Sequence, residues 1–157
     1  MNRMHDKSLA MLAFEVRWKT LKLLEGLTHE QSLGVAPGMK NSILYHAGHG
    51  YAVQEALGVA RIEGREPKMP EGFDVFMWNA TPTPETVYPP IEVVREKLTE
   101  QRDHLVGLIE KTDASRFDQI INPEKGKTLR FSVLHGLHDE AQHQGEMWLI
   151  RKLLGLK

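Results

Sequence analysis

The stretch HDEAQHQGEM, residues 138–147, sets two histidines and two acids within its first six positions. On an α-helix each residue turns the direction by about 100°, so His138 and His143 diverge by roughly 140° and cannot share one ion. Asp139 and His143 are four apart, about 40° and one turn from each other, which makes their side chains neighbours. That i, i+4 spacing is the one helical metal sites use. The same face continues through Met147, Ile150 and Leu154, an apolar stripe, so the carboxylate and the imidazole point into the protein. A buried carboxylate is costly unless it is paired or coordinated. Something must satisfy Asp139.

A second histidine cluster, NSILYHAGHGYAV (41–53), supplies candidates. His49 shares a stripe with Tyr45, Val53, Ala56 and Ala60 and so faces inward. His46 lies about 60° away on the edge of that face, beside Ile43 and Gly50. Gly48 and Gly50 leave room for a helix or a ligand to come close to His49. His49, Asp139 and His143 then form a two-histidine, one-carboxylate set with open coordination positions, the donor set of a reactive divalent-metal site rather than a closed structural one. The competing reading is a hydrogen-bonded Asp–His pair that stabilises the core. Residue types and spacing leave both open.

The neighbouring groups divide in the same way. His46 is either a partner of Asp139 or of a bound substrate, or a histidine packed at a helix contact. His135, one turn before Asp139 on nearly the same line, is either an acid/base group at the mouth of the site or a half-buried structural residue. Glu140, turned about 100° from Asp139, pairs with a cation rather than with a metal. Glu146, two turns past Asp139, holds a neighbouring helix or a ligand. Gly145 permits close helix packing, and Met147 and Trp148 serve the core or a dimer contact. His5, His29, His104 and His138 read as surface or capping residues.

These groups need rigid elements to hold them. Segment 4–27 places Leu9, Leu12, Val16, Leu23 and Leu27 at helical spacing and predicts an amphipathic helix starting near Asp6. Thr28 and Gln31 form a capping box for a short turn. A second helix is expected from about Met39 to Ile62, ending at Gly64. The proline-rich stretch from Gly64 to about Pro89 has no sustained period but carries Phe73, Phe76, Trp78 and Tyr88. A connection this long is either functional or a contact surface, unless its aromatics merely staple it to the body. Pro89-Pro90 opens a third helix ending near Thr112, NPEKGKT (122–128) makes a turn or hairpin-like excursion, and a fourth helix covers about Leu129 to Leu154. The expected fold is all-α, a four-helix up-and-down bundle with a long loop between helices 2 and 3, in one domain spanning 1–157.

Composition narrows the function. The 157 residues suffice for one core, and a formal net charge of −1 with no dense Lys/Arg block argues against nucleic-acid binding. With no cysteine there is no disulfide, thiolate metal site or intrinsic thiol nucleophile. Charges interrupt the apolar residues of the N-terminus, and no stretch is long enough to span a bilayer, so the expectation is a cytoplasmic protein with no membrane partner.

Taken together, the chain resembles the DinB/YfiT-like metalloenzyme family over nearly its whole length. Members carry N-S-I-x-W-x-x-x-H on the second helix, and NSILYHAGH (41–49) matches it with Tyr45 in place of the tryptophan and His49 at the ligand position. Their last helix reads H-x-x-x-H-E-A-x-H-x-G-Q. Here HGLHDEAQHQGE (135–146) sets His135 on the first histidine, Asp139 on the first ligand and His143 on the second. Asp139 stands where many members have histidine, although the similar maleylpyruvate isomerases use a carboxylate there, and Glu146 replaces the usual glutamine.

The resemblance implies one divalent metal ion (Zn, Ni, Mn or Fe) on His49, Asp139 and His143. It also implies a homodimer, and transfer or isomerisation dependent on a low-molecular-weight thiol. A carboxylate ligand shifts preference toward harder ions. The leading expectation is thus a metal-dependent S-transferase or isomerase whose small electrophilic substrate sits between the bundle and the 64–89 loop. One alternative is a hydrolase using a metal-bound hydroxide, with His135 or His46 moving protons. The other is a non-catalytic, stress-related dimeric helical protein with Met11, Phe14 and Trp18 at its interface.

Overall fold

The computed structural model describes residues 4–157. Asp6 caps α1 (Lys7–Leu24) by accepting from the Leu9 amide, and the Thr28/Gln31 capping box opens the single turn α2 (His29–Ser32). The second long helix begins later than its periodicity predicts. Ser42, not the region of Met39, caps α3 (Ile43–Gln54), because its hydroxyl accepts from the Tyr45 amide. A π-helical turn, Glu55–Val59, carries the chain into α4 (Ala60–Glu63), which stops at Gly64 with φ near +69°. α5 (Ile91–Lys111) and α6 (Leu129–Leu153) complete the bundle. The excursion before α6 is a small antiparallel hairpin, β1 (Ile120–Asn122) with β2 (Lys127–Thr128).

Contacts along the helices give their directions. Asp6 meets Arg130 and Arg151 meets the Leu23 carbonyl, so α1 and α6 run parallel. Ser132 donates to the Leu57 carbonyl while His46 meets His143, so α3 opposes α6. Gln101 reaches the Tyr51 carbonyl and His104 reaches Glu63, so α3–α4 and α5 run the same way. The all-α four-helix bundle is as expected, but its directions run up, down, down, up instead of alternating strictly. The long loop explains this, since a crossover of that length returns the chain to the starting end of the bundle.

Within the loop, Phe73 and Phe76 form a 3₁₀ turn (Phe73–Phe76) and are fully buried, with Tyr88 stacked on Phe76. These three aromatics staple the crossover onto α3, whereas Trp78 stays exposed. Met11, Phe14 and Trp18 lie exposed along the outer face of α1; Met147 is core and Trp148 is exposed under Lys152. No helix among the described residues is long and apolar enough to cross a membrane.

Two apolar clusters fill the interior. One gathers Leu24, Ile43, Leu44, Phe73, Phe76, Leu98 and Met147; the other gathers Leu9, Val16, Val59, Leu105, Phe117 and Val133. Between them lies a polar layer. Glu140 is buried there and accepts four hydrogen bonds, two from Arg17 at 2.7 and 3.1 Å, one from Thr20 at 2.7 Å and one from Gln54 at 3.1 Å. Arg17 also donates to the Leu98 carbonyl and to Gln101, both at 2.9 Å. Burial pushes the Glu140 carboxyl up, but Arg17, Thr20 and Gln54 together outweigh it and hold the group below the usual glutamate range. Removing Arg17 alone strands a buried charge. Arg17→Met is expected to lower the unfolding free energy by about 3–5 kcal/mol in urea titrations, and adding Glu140→Leu is expected to restore most of it.

Candidate metal centre

α3 and α6 bring His49, Asp139 and His143 together. Asp139 Oδ2 lies 3.4 Å from His143 Nε2 and 3.9 Å from His49 Nε2. It is buried, and neither contact has hydrogen-bond geometry, so this oxygen has no hydrogen-bond partner. An orphaned buried carboxylate oxygen is expensive unless something else satisfies it.

Protons on the two rings decide what that something is. His49 Nδ1 lies 2.7 Å from the Phe76 carbonyl, which only accepts, so Nδ1 carries the proton and Nε2 presents a lone pair. Phe76 reaches this position because Gly48 has no side chain: a Cβ there would stand 2.4 Å from the ring. Tyr45 stacks on the His49 ring at 5.8 Å and fixes its plane.

His143 is oriented through a relay. His46 Nε2 lies 2.9 Å from the Glu146 carboxylate and its Nδ1 lies 2.8 Å from His143 Nδ1. Burial, then the nearby His143 and His49, pushes His46 down to about 4, so the ring is neutral near pH 7. A neutral His46 donates from Nε2 to Glu146 and accepts at Nδ1 from the Nδ1–H of His143. His143 is itself pushed below its ordinary value, by burial and then by His49 against the pull of Asp139, and presents a bare Nε2. Three acceptors therefore converge with no proton between them. Such a set is repulsive on its own and suits a cation. In neutral imidazoles the alternative hydrogen-bonded Asp–His pair would need its proton on one of the two Nε2 atoms, and the partners at both Nδ1 positions draw it there instead.

Two groups among the described residues have ligand atoms close enough to share an ion, His49–Asp139–His143 and His46–His143–Glu146. Of the sequence candidates, His46 is thus drawn in, as a buried link between Glu146 and His143. His135 is exposed, stacked on Phe131, and opens on a separate recess. Glu140 takes Arg17 as its cation. His29 caps α5 by accepting from the Ile91 amide, and His104 pairs with Glu63 at the surface. Gly145 does not pack against a helix; a Cβ there would meet open space. The Phe76 carbonyl is the contributor the sequence hid, since a backbone atom of a loop leaves no trace in residue type.

A profile of the DinB superfamily matches residues 15–147. The chain belongs to the DinB superfamily. No curated protein matches it. Among solved structures it is similar to a conserved protein from Enterococcus faecalis, with a TM-score of 0.75 at 12% identity, covering 96% of this chain and 97% of that one. At that identity the likeness establishes the shared fold. The DinB match includes α3 and α6 up to Met147, and so takes in all three convergent residues.

The depressed His46 value has a measurable consequence. The unfolded chain binds that proton near 6.5 and the folded chain only near 4, so the unfolded state gains protons as pH falls through this window. Urea midpoints of chelator-treated protein are expected to fall between pH 6.5 and 4, by up to ~3 kcal/mol of stability at the acid end. His46→Phe is expected to flatten that dependence.

Proposed function

We propose that this DinB-superfamily chain is a divalent-metal-dependent enzyme acting on a small molecule, with His49, Asp139 and His143 as the ligands. The observation that carries the reading is the orphaned Asp139 oxygen facing two bare imidazole nitrogens. A two-histidine, one-carboxylate set leaves coordination positions open for a reacting partner. When bound there, the ion supplies Lewis-acid activation of a thiol or of water.

The chain's own residues do the rest. The Phe76 carbonyl and the Glu146–His46 relay hold both rings with Nε2 toward the centre. Tyr45 and Phe76 wall one side with aromatic surface and limit water there. The chain contains no cysteine, so a nucleophilic sulfur must arrive with a cosubstrate. We read the reaction as transfer or isomerisation of a small electrophile with a low-molecular-weight thiol, which an added thiol would supply.

Elemental analysis of protein purified without chelator tests the centre. One ion per chain is expected in the wild type and essentially none in His49→Ala. Glu146→Leu is expected to keep the ion but weaken it about tenfold or more in competition with a chromophoric chelator, since loosening a partner that orients a ligand costs that much. Wild-type protein free of stoichiometric metal would remove the proposal. Turnover of model electrophiles is expected to require added thiol; equal rates without thiol would replace transfer by hydrolysis.

A further inference from the structure

A cavity of about 200 Å³ lies between α4, the β1–β2 hairpin and the first turns of α6. Arg61, Lys125, Lys127 and His135 line it around Phe131, and no acidic residue does. They come from three elements, so the fold and not local sequence gathers them, in a chain whose net charge is −1. Phe131 orders two of them: the Lys127 ammonium sits 4.5 Å over its ring, and His135 stacks on it at 5.7 Å.

Arg61 sets this recess apart. Among the described residues, Arg17, Arg65, Arg102 and Arg130 are bonded to acids, and Arg95, Arg116 and Arg151 to backbone carbonyls. Among the described residues Arg61 is the one arginine with no protein acceptor, and neither Lys125 nor Lys127 has an ion pair with any of them. Like charges collected in a concavity repel one another and focus a positive field, which an anion relieves. Arg61 offers a planar fork for two oxygens and the lysines offer point charges. The volume equals that of roughly six or seven waters, which suits a phosphate or a short dicarboxylate.

We propose that this recess binds the anionic group, carboxylate or phosphate, of a small ligand. His135, the lining residue nearest the centre in sequence, precedes Asp139 by about 6 Å along α6 and about 40° around it, so these two side chains lie one turn apart on one helix face. Resting on the metal reading above, the recess anchors the substrate, and the substrate class is a small anion with its reacting atoms toward Asp139.

Calorimetric titration of the full chain with inorganic phosphate, and separately with malonate, tests this. The expected result is saturable binding of at least one probe, one per chain, with the His135 ring resonances shifting on addition. Arg61→Ala, at an exposed position, and Lys127→Ala, at a half-buried one, are each expected to weaken it at least tenfold, and the tighter probe names the group. No saturable binding of either probe, or binding that both substitutions leave within twofold, overturns the recess. Metal content on the same samples keeps the two ideas apart. A chain that binds the anion but no metal retains the recess and loses the metal centre. A chain that binds metal but no anion does the reverse.

Discussion

One buried carboxylate sets how the four helices face one another. Glu140 sits at mid-bundle, takes hydrogen bonds from α1 and α3, and through Arg17 reaches the Leu98 carbonyl and Gln101 on α5. A charge at that depth is tolerated only when every partner is in place, so the polar layer discriminates against rotations and slips that an apolar core would accept. Asp139 is its neighbour on α6, turned by about 100°. The rotation that gives Glu140 to Arg17 therefore gives Asp139 to α3. Gly50 completes the fit, because a Cβ there would stand 3.2 Å from Glu140 Cγ.

The topology bears on the chemistry through the crossover loop. Parallel α3 and α5 require a long connection, and this connection carries Phe76 into the gap that Gly48 leaves. Its carbonyl then fixes the tautomer of His49. At the other imidazole, an exposed carboxylate, Glu146, does the equivalent through buried His46. Each bare nitrogen at the centre is thus secured by an acceptor outside the three convergent residues. This indirect orientation separates a poised donor set from a chance cluster of polar groups.

Helical period made a good part of this legible in the sequence. The i, i+4 relation of Asp139 and His143, the inward stripe of His49 and the separate direction of Glu140 all follow from 100° per residue, and the structure has them so. Other features depend on partners distant in sequence. α3 is buried on nearly every side, so its pattern does not show how far burial extends around the helix, and His46 looked like an edge residue while being almost wholly enclosed. Strict alternation of helix direction failed because loop length permits a crossover without announcing it. Gly145 looked like a packing residue by type, yet only the position of the neighbouring helices shows that it faces open space. The Arg17–Glu140 pair spans 123 residues, and nothing in a helix period chooses Arg17 over the other cations.

Distances also separate the two overlapping ligand groups that share His143. Two atoms bound to one tetrahedral ion at about 2.1 Å lie about 3.4 Å apart. Asp139 Oδ2 and His143 Nε2 are 3.4 Å apart, with His49 Nε2 at 3.9 Å from that oxygen, so this set is near the spacing a tetrahedral ion would require. His46 Nδ1 and His143 Nδ1 are only 2.8 Å apart, shorter than the tetrahedral ligand spacing and right for a shared proton. His46 Nε2 faces Glu146 at the same kind of distance, 2.9 Å. The second group is therefore a proton-ordered relay. A cation among its members would have to displace the hydrogen bond that leaves His143 Nε2 bare, so occupying the relay would undo the centre it supports.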